Sequence, residues 1–212
     1  MDNNKHVQRL VGSKEKFEMK YIEKIQDKKL KSAVQDAYRK YAYKLHFIPA
    51  SVSGSYHPED ERGKEGLNIH VEKLCWFLDQ VVQQYKLSDE TRDILLTAAY
   101  FHDLGKVKLT TVKHVLVYKS KKEERCVRVE RNVYGYDNHA EVSAQLAEQY
   151  LIKYGVPEEQ RNVIVSIIRK HMSHWTPHAP QPSTELEKLF ALGDFIVSRK
   201  EFTLRKERKW LW

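Results

Sequence analysis

The chain has 212 residues, 41% of them hydrophobic, which is enough for one domain with a packed core, alone or with an appendage. No run of eighteen apolar residues exists, so no membrane-spanning helix is expected, and Met1-Asp2-Asn3-Asn4-Lys5 lacks the apolar segment of a signal peptide. A formal charge of +8 and a pI near 9.3 favour an anionic ligand such as a nucleotide, a nucleic acid or another phosphate ester, although surplus lysine also serves as a plain soluble surface.

Residues 1–12 are mostly polar. From Ser13, a candidate N-cap, to Leu45 the pattern is helical, with Phe17, Tyr21, Ile25, Leu30, Val34, Ala37, Tyr38, Tyr41 and Leu45 at three- and four-residue steps. Gln26-Asp27-Lys28-Lys29 divides it, with Asp27 as the N-cap of the second part. Lysines fill the other face, as a solvated surface or, alternatively, one that touches nucleic acid. Residues 46–66 read as a long loop rich in Pro, Gly and Ser, and long loops in compact domains are often functional. Its His57, Arg62 and Lys64 are polar groups that could reach a ligand, unless His57-Pro58 is merely a turn.

Residues 67–86 form an amphipathic helix with the stripe Leu67, Val71, Leu74, Leu78, Val81 and Tyr85, and His70 lies on that side. Ser88 or Asp89 caps the next helix, which ends in Phe101-His102-Asp103-Leu104-Gly105-Lys106. Gly105 is expected to allow a left-handed turn there. Residues 112–136 alternate as a β-hairpin with a charged tip at 120–124, an insertion that would act as a lid, a partner surface or decoration. Asp137-Asn138 begin a helix from His139 to Tyr154, where His139 shares a face with Val142, Ser143 and Leu146. After Gly155-Val156-Pro157, Ile164, Ile167 and Ile168 align with His171. A Pro-rich loop holds His174 and His178, and a helix from Ser183 to about Arg199 turns Asp194 inward beside Phe190 and Val197. The basic tail 200–212 carries Trp210 and Trp212 and is expected to pack back on the domain, rather than pair with another chain or touch nucleic acid. Cys75 and Cys126 have no metal-type spacing and read as reduced thiols of a cytoplasmic protein. No internal repeat is visible.

A lone His-Asp pair at a helix end is ordinarily a solvated terminus. Here His70, His102, Asp103, His139, His171 and Asp194 all fall at the inner face or end of five helices. Six such groups are costly to bury unless they meet and are paired. Imidazole and carboxylate donors together suit one or two divalent ions, Mn, Fe, Co, Ni, Zn or Mg, with Asp103 able to bridge. Two ions about 3.5–4 Å apart can activate water and brace the oxygens of an in-line phosphoryl displacement.

His70, His102-Asp103 and Asp194 resemble the motif that names the HD superfamily of metal-dependent phosphohydrolases, and Phe101-His102-Asp103-Leu104-Gly105-Lys106 is close to its most recognisable segment. The resemblance covers roughly residues 47–199, between the N-terminal helices of 1–46 and the tail of 200–212. Ile48-Pro49-Ala50-Ser51 through His57 to His70, and His171-Met172-Ser173-His174-Trp175, are similar to HD domains fused to 3′–5′ exoribonucleases. The nucleic-acid-binding OB domain of that exonuclease type has no room here.

The resemblance implies an all-α HD helical bundle, here with a small β-hairpin insertion. It implies that His70, His102, Asp103 and Asp194 hold one metal and that His139 and His171, with Asp103, hold a second. Lys106 would contact the scissile phosphate or aid the leaving group. His57, Arg62, His174 and Arg199 are further candidates for binding substrate. The implied activity is hydrolysis of a phosphoester in a nucleotide or short nucleic acid by metal-activated water. Two alternatives are a 3′–5′ exonuclease or RNA-end-processing phosphodiesterase, and a non-catalytic nucleotide-binding module. Oligomeric state is left open.

Overall fold

The computed structural model describes residues 19–51, 57–119, 122–131, 138–176 and 178–201. Helix α1, Lys28–Leu45, starts at Asp27, whose carboxylate accepts the backbone N–H groups of Lys29 and Leu30, which is the break expected at 26–29. Of the helix expected to precede it, the part within the described residues, 19–25, holds a single 3-10 turn, Ile22–Lys24. The chain leaves helical geometry because the Asp93 carboxylate takes the N–H groups of Gln26 and Asp27, at 2.9 and 2.7 Å. Ser13 and Phe17 lie outside the described residues.

Helix α2 is Gly66–Gln84, and Leu67, Val71, Leu74 and Leu78 of its expected stripe are buried. Val82, not Val81, continues the stripe, and Tyr85 is 72% exposed. Tyr85 is the C-cap, where the chain turns away through Lys86 at φ 52°. Helix α3, Asp89–Phe101, is capped by the Ser88 hydroxyl. A 3-10 turn, Leu104–Val107, follows and leads into the antiparallel strands β1, Thr110–Lys119, and β2, Lys122–Arg131, paired from Thr110↔Arg131 to Lys119↔Lys122. The hairpin expected over 112–136 is present, with strands over 110–119 and 122–131; residues 120–121 and 132–136 lie outside the described residues.

Helices α4, His139–Lys153, and α5, Glu158–Lys170, are joined through Gly155 at φ 66°. Helix α6, Glu185–Val197, is shorter than the sequence suggested and begins in a capping box between Thr184 and Glu187. The Trp-containing tail lies outside the described residues.

The bundle is built from two antiparallel helix pairs. Helix α2 packs on α3 and α4 packs on α5; α3 crosses α5, and α6 lies across α2 and α5. Leu74, Leu95, Leu96, Tyr100, Phe101, Ile164, Ile168 and Phe190 fill the space between them and are fully buried. Each such side chain contributes about 1.5–3 kcal/mol of hydrophobic stabilisation.

Gly105 is not in the left-handed region; among the described glycines only Gly155 has a positive φ. Its requirement is space. A Cβ on Gly105 would stand 2.6 Å from the His139 carbonyl oxygen and 2.7 Å from Ser143 N. The missing side chain lets α4 begin directly against the turn that follows His102-Asp103, and Gly105 N–H donates to Ser143 Oγ at 2.8 Å. Among the described residues no helix is long and apolar enough to cross a membrane.

Candidate metal centre

Five helices deliver the six candidate side chains to one place. His70 comes from the first turns of α2, His102 caps α3, Asp103 follows it, His139 opens α4, His171 caps α5 and Asp194 lies in α6. None is more than 4% exposed. The donor atoms converge as two groups. His70 Nε2 lies 3.2 Å from His102 Nε2, and Asp194 Oδ1 is 3.0 Å from the first and 3.6 Å from the second. His139 Nε2 lies 3.2 Å from His171 Nε2. Asp103 stands between the groups: its Oδ2 is 3.5 Å from His102 Nε2, and its Oδ1 is 3.2 Å from His139 Nε2 and 3.8 Å from His171 Nε2.

Tautomers decide what these contacts mean. His102 Nδ1 is 2.8 Å from the Ala99 carbonyl and His171 Nδ1 is 2.6 Å from the Ile168 carbonyl. A carbonyl only accepts, so in each ring Nδ1 carries a proton, and the neutral ring presents its lone pair at Nε2. Lone pairs turned inward beside carboxylate oxygens need something positive between them. The spacing fits a cation: donors on adjacent corners around an ion bonded at about 2.0–2.2 Å stand about 3.0–3.4 Å apart. Asp103 Oδ1, buried and without a hydrogen-bond partner, points the same way. The donor set of four imidazoles and two carboxylates therefore fits divalent metal.

The charges are finely set. Burial pushes the Asp103 carboxyl up, but Lys106 and the imidazoles of His102 and His139 outweigh it and hold the group well below the usual carboxylate range. Burial acts likewise on Asp194, and His102 and His70 hold it well below its usual range. For His70, burial would favour the neutral ring, yet Asp194 and Glu61 hold its pKa up at about 10. Burial, then His102, pushes His171 down to about 3.

Lys106 is only 6% exposed, with its ammonium 2.6 Å from Asp103 Oδ2 and 2.8 Å from the Ala50 carbonyl. It is thus engaged with a candidate ligand and with the loop before α2; as a substrate contact it would have to leave them. His57 reaches the edge of the centre, with its ring 5.2 Å from that of His70 and nearly parallel to Trp175. Arg62 is exposed and donates to the His57 carbonyl at 3.0 Å. His174 is exposed beside Phe195, and Arg199 lies 5.3 Å over the same ring.

Three residues of the surroundings escape the sequence pattern. Glu61 is fully buried behind His70, Lys73 pairs with it at 2.8 Å, and the Trp175 indole donates to Asp194 Oδ2 at 3.4 Å. Glu61 sits in Glu59-Asp60-Glu61-Arg62, which looks like a solvated charged run. The available signals were its i, i+4 spacing from His57 and the glycine five residues on.

A family model described as HD domain matches residues 69–196, more than half of the chain. Comparison with curated proteins and with solved structures gives no match.

Proposed function

The chain belongs to the HD domain family, whose members are usually metal-dependent hydrolases, and from that premise we propose that it cleaves a phosphoester in a nucleotide or short nucleic acid. The observation that supports this reading best is the convergence of six buried ligand-type side chains from five helices, with donor atoms 3.0–3.6 Å apart in the tighter contacts. In this reading His70, His102, Asp103 and Asp194 would hold one ion, and His139 and His171, with Asp103, would hold another. Bound divalent ions supply Lewis acidity toward water and toward the phosphoryl oxygens.

The remaining work belongs to the chain. Lys106 fixes the Asp103 carboxylate so that its two oxygens face different imidazole pairs. The Ala99 and Ile168 carbonyls keep His102 and His171 in the tautomer that presents Nε2. We assign His57, Arg62, His174 and Arg199, with Trp175, to substrate; His57 and Trp175 approach the centre at His70 and Asp194.

A second reading, cleavage at the end of a nucleic-acid strand, draws on a separate observation. An open surface depression toward the end of α4 away from His139 is lined by Lys40, Lys108 and Lys153, the last paired with Asp36, with Tyr41 and Tyr150 in its wall. Cations beside aromatic rings suit a single strand.

The test is elemental analysis of the purified protein, followed by nucleotides, cyclic nucleotides and a labelled oligonucleotide offered with Mn, Mg, Co or Ni. Turnover that needs the metal and vanishes in Asp103→Asn is expected, and the preferred substrate chooses between the readings. Metal-loaded protein that binds a nucleotide and releases no product would leave only the non-catalytic module.

A further inference from the structure

Glu61 is an anomaly of burial. It lies on a 3-10 turn, Glu59–Glu61, in the loop before α2, where a carboxylate ordinarily faces water, yet it is fully buried. Enclosing a carboxylate costs several kcal/mol that a single ion pair does not repay. Lys73 Nζ meets its Oε1 at 2.8 Å. Its Oε2 is placed between two imidazoles, 2.7 Å from His57 Nδ1 and 3.4 Å from His70 Nδ1. The other nitrogen of His70 is the one turned toward His102 and Asp194.

We infer that Glu61 is a positioning residue, which orients His70 and retains its Nδ1 proton, so that Nε2 is the nitrogen that gives up its proton to metal. Its carboxylate stands 3.4 Å from His70 Nδ1, an ion-pair contact longer than the 2.8 and 2.6 Å carbonyl bonds of His102 and His171, but it brings a full negative charge, which makes the ring a stronger donor. The inference rests on the metal-centre reading above.

The loop is fastened so as to hold Glu61 there. Lys106 Nζ donates to the Ala50 carbonyl at 2.8 Å, Ala50 N–H donates to the Glu61 carbonyl at 2.9 Å, and Leu67 N–H donates to the Ile48 carbonyl at 3.0 Å. A continuous path therefore runs from Asp103 through Lys106, Ala50 and Glu61 to His70, joining ligands of both groups from behind. Gly66 completes it, because a Cβ there would overlap the Glu61 carbonyl oxygen. Two independent changes thus reach the same contact: Glu61→Gln removes the charge in place, and Gly66→Ala displaces the backbone that carries it.

The experiment is binding, not turnover. Zinc or manganese bound per chain is measured by elemental analysis, and affinity by competition with a chelator, for the full chain, Glu61→Gln, Glu61→Asp and Gly66→Ala. Folding is followed by circular dichroism. Glu61→Gln is expected to weaken one of the bound ions about 10–100-fold, the range for loss of an outer partner of a histidine ligand. Glu61→Asp should recover part of the loss and Gly66→Ala should reproduce it. In a His70→Ala background Glu61→Gln should change nothing further, a result that a merely structural residue would not give.

Folded Glu61→Gln with undiminished affinity overturns the inference. So does an unfolded Glu61→Gln beside Glu61→Asp of wild-type affinity, since Glu61 would then serve the fold alone. Wild-type protein that binds no metal would sink the metal-centre reading itself, which keeps the two failures distinct.

Discussion

Helices α2 and α3 present His70 and His102, 32 residues apart, with Nε2 atoms 3.2 Å from each other; α4 and α5 present His139 and His171 with the same separation and the same distance. In each pair the second histidine caps its helix and gives Nδ1 to the carbonyl three residues back. The pairs differ in their acids. The first has Asp194 in front and Glu61 behind, whereas Asp103 Oδ1 is the carboxylate oxygen that stands closest to the second. That carboxylate also serves the first pair and is held by Lys106. The difference teaches that the same helical scaffold can offer one group its own negative charge and make its twin depend on a shared one.

The largest expected effect is therefore at Asp103. Asp103→Asn keeps the shape but removes the charge that both groups use and leaves Lys106 unneutralised. Metal content should fall toward zero and phosphoesterase activity by about a thousandfold or more, roughly 4 kcal/mol of transition-state stabilisation. Elemental analysis and initial rates measure both. A variant with full metal content would show that the pairs do not share this residue.

Deleting one histidine sharpens the contrast. His139→Ala should remove one ion and leave the other, held by His70, His102 and Asp194. His70→Ala should leave the second pair occupied but more easily stripped, because that group would keep only Asp103. Chelator titrations of the two variants are expected to separate in that order. If either change empties both positions together, the two groups act as one.

Gly105 tests how tightly α4 must seat. Gly105→Ala forces a methyl group toward the His139 carbonyl and Ser143, and α4 is expected to back away from the turn. The cost should be about 1–3 kcal/mol in denaturant unfolding. Metal loss should begin at the His139–His171 pair, while His70 and His102, on α2 and α3, stay in place. Equal loss at both pairs would mean that the shift travels through Asp103.

The six ligand-type residues were legible because helical periodicity puts them on apolar faces, where an ionisable group is out of place. The hairpin was legible from alternation alone. The duplicated helix pair was harder to read, since His70 lies inside α2 whereas His139 begins α4, and the shared 32-residue spacing is its one trace in the residue order. Gly105 reads as a helix stop, and its real role, the approach of α4, is a tertiary contact that local pattern does not carry. Glu61 was hidden for a similar reason: its neighbours Glu59, Asp60 and Arg62 are the composition of a wet loop.

The pairs are also fastened differently away from the centre. Across α4 and α5, Arg169 meets Glu141 at 2.8 Å with both side chains well exposed, a contact worth less than about 1 kcal/mol. Across α2 and α3, besides the Arg92–Asp79 pair, Tyr100, buried, donates to the carboxylate of half-buried Glu72 at 3.0 Å. Burial raises Glu72 to about 7, against lesser help from Tyr100 and Lys20. The folded state thus keeps its proton where the unfolded chain, with an ordinary carboxyl near 4.5, has lost it. Stability from this group is full at low pH and falls as pH rises from about 4.5 to about 7, by at most about 3 kcal/mol. Glu72→Gln keeps an acceptor for Tyr100 and abolishes the titration. Its unfolding free energy should match wild type below about pH 4 and exceed it near pH 8. A difference that does not change with pH would mean that Glu72 stays ionised in the fold, and that the α2–α3 link is as indifferent to pH as a surface pair.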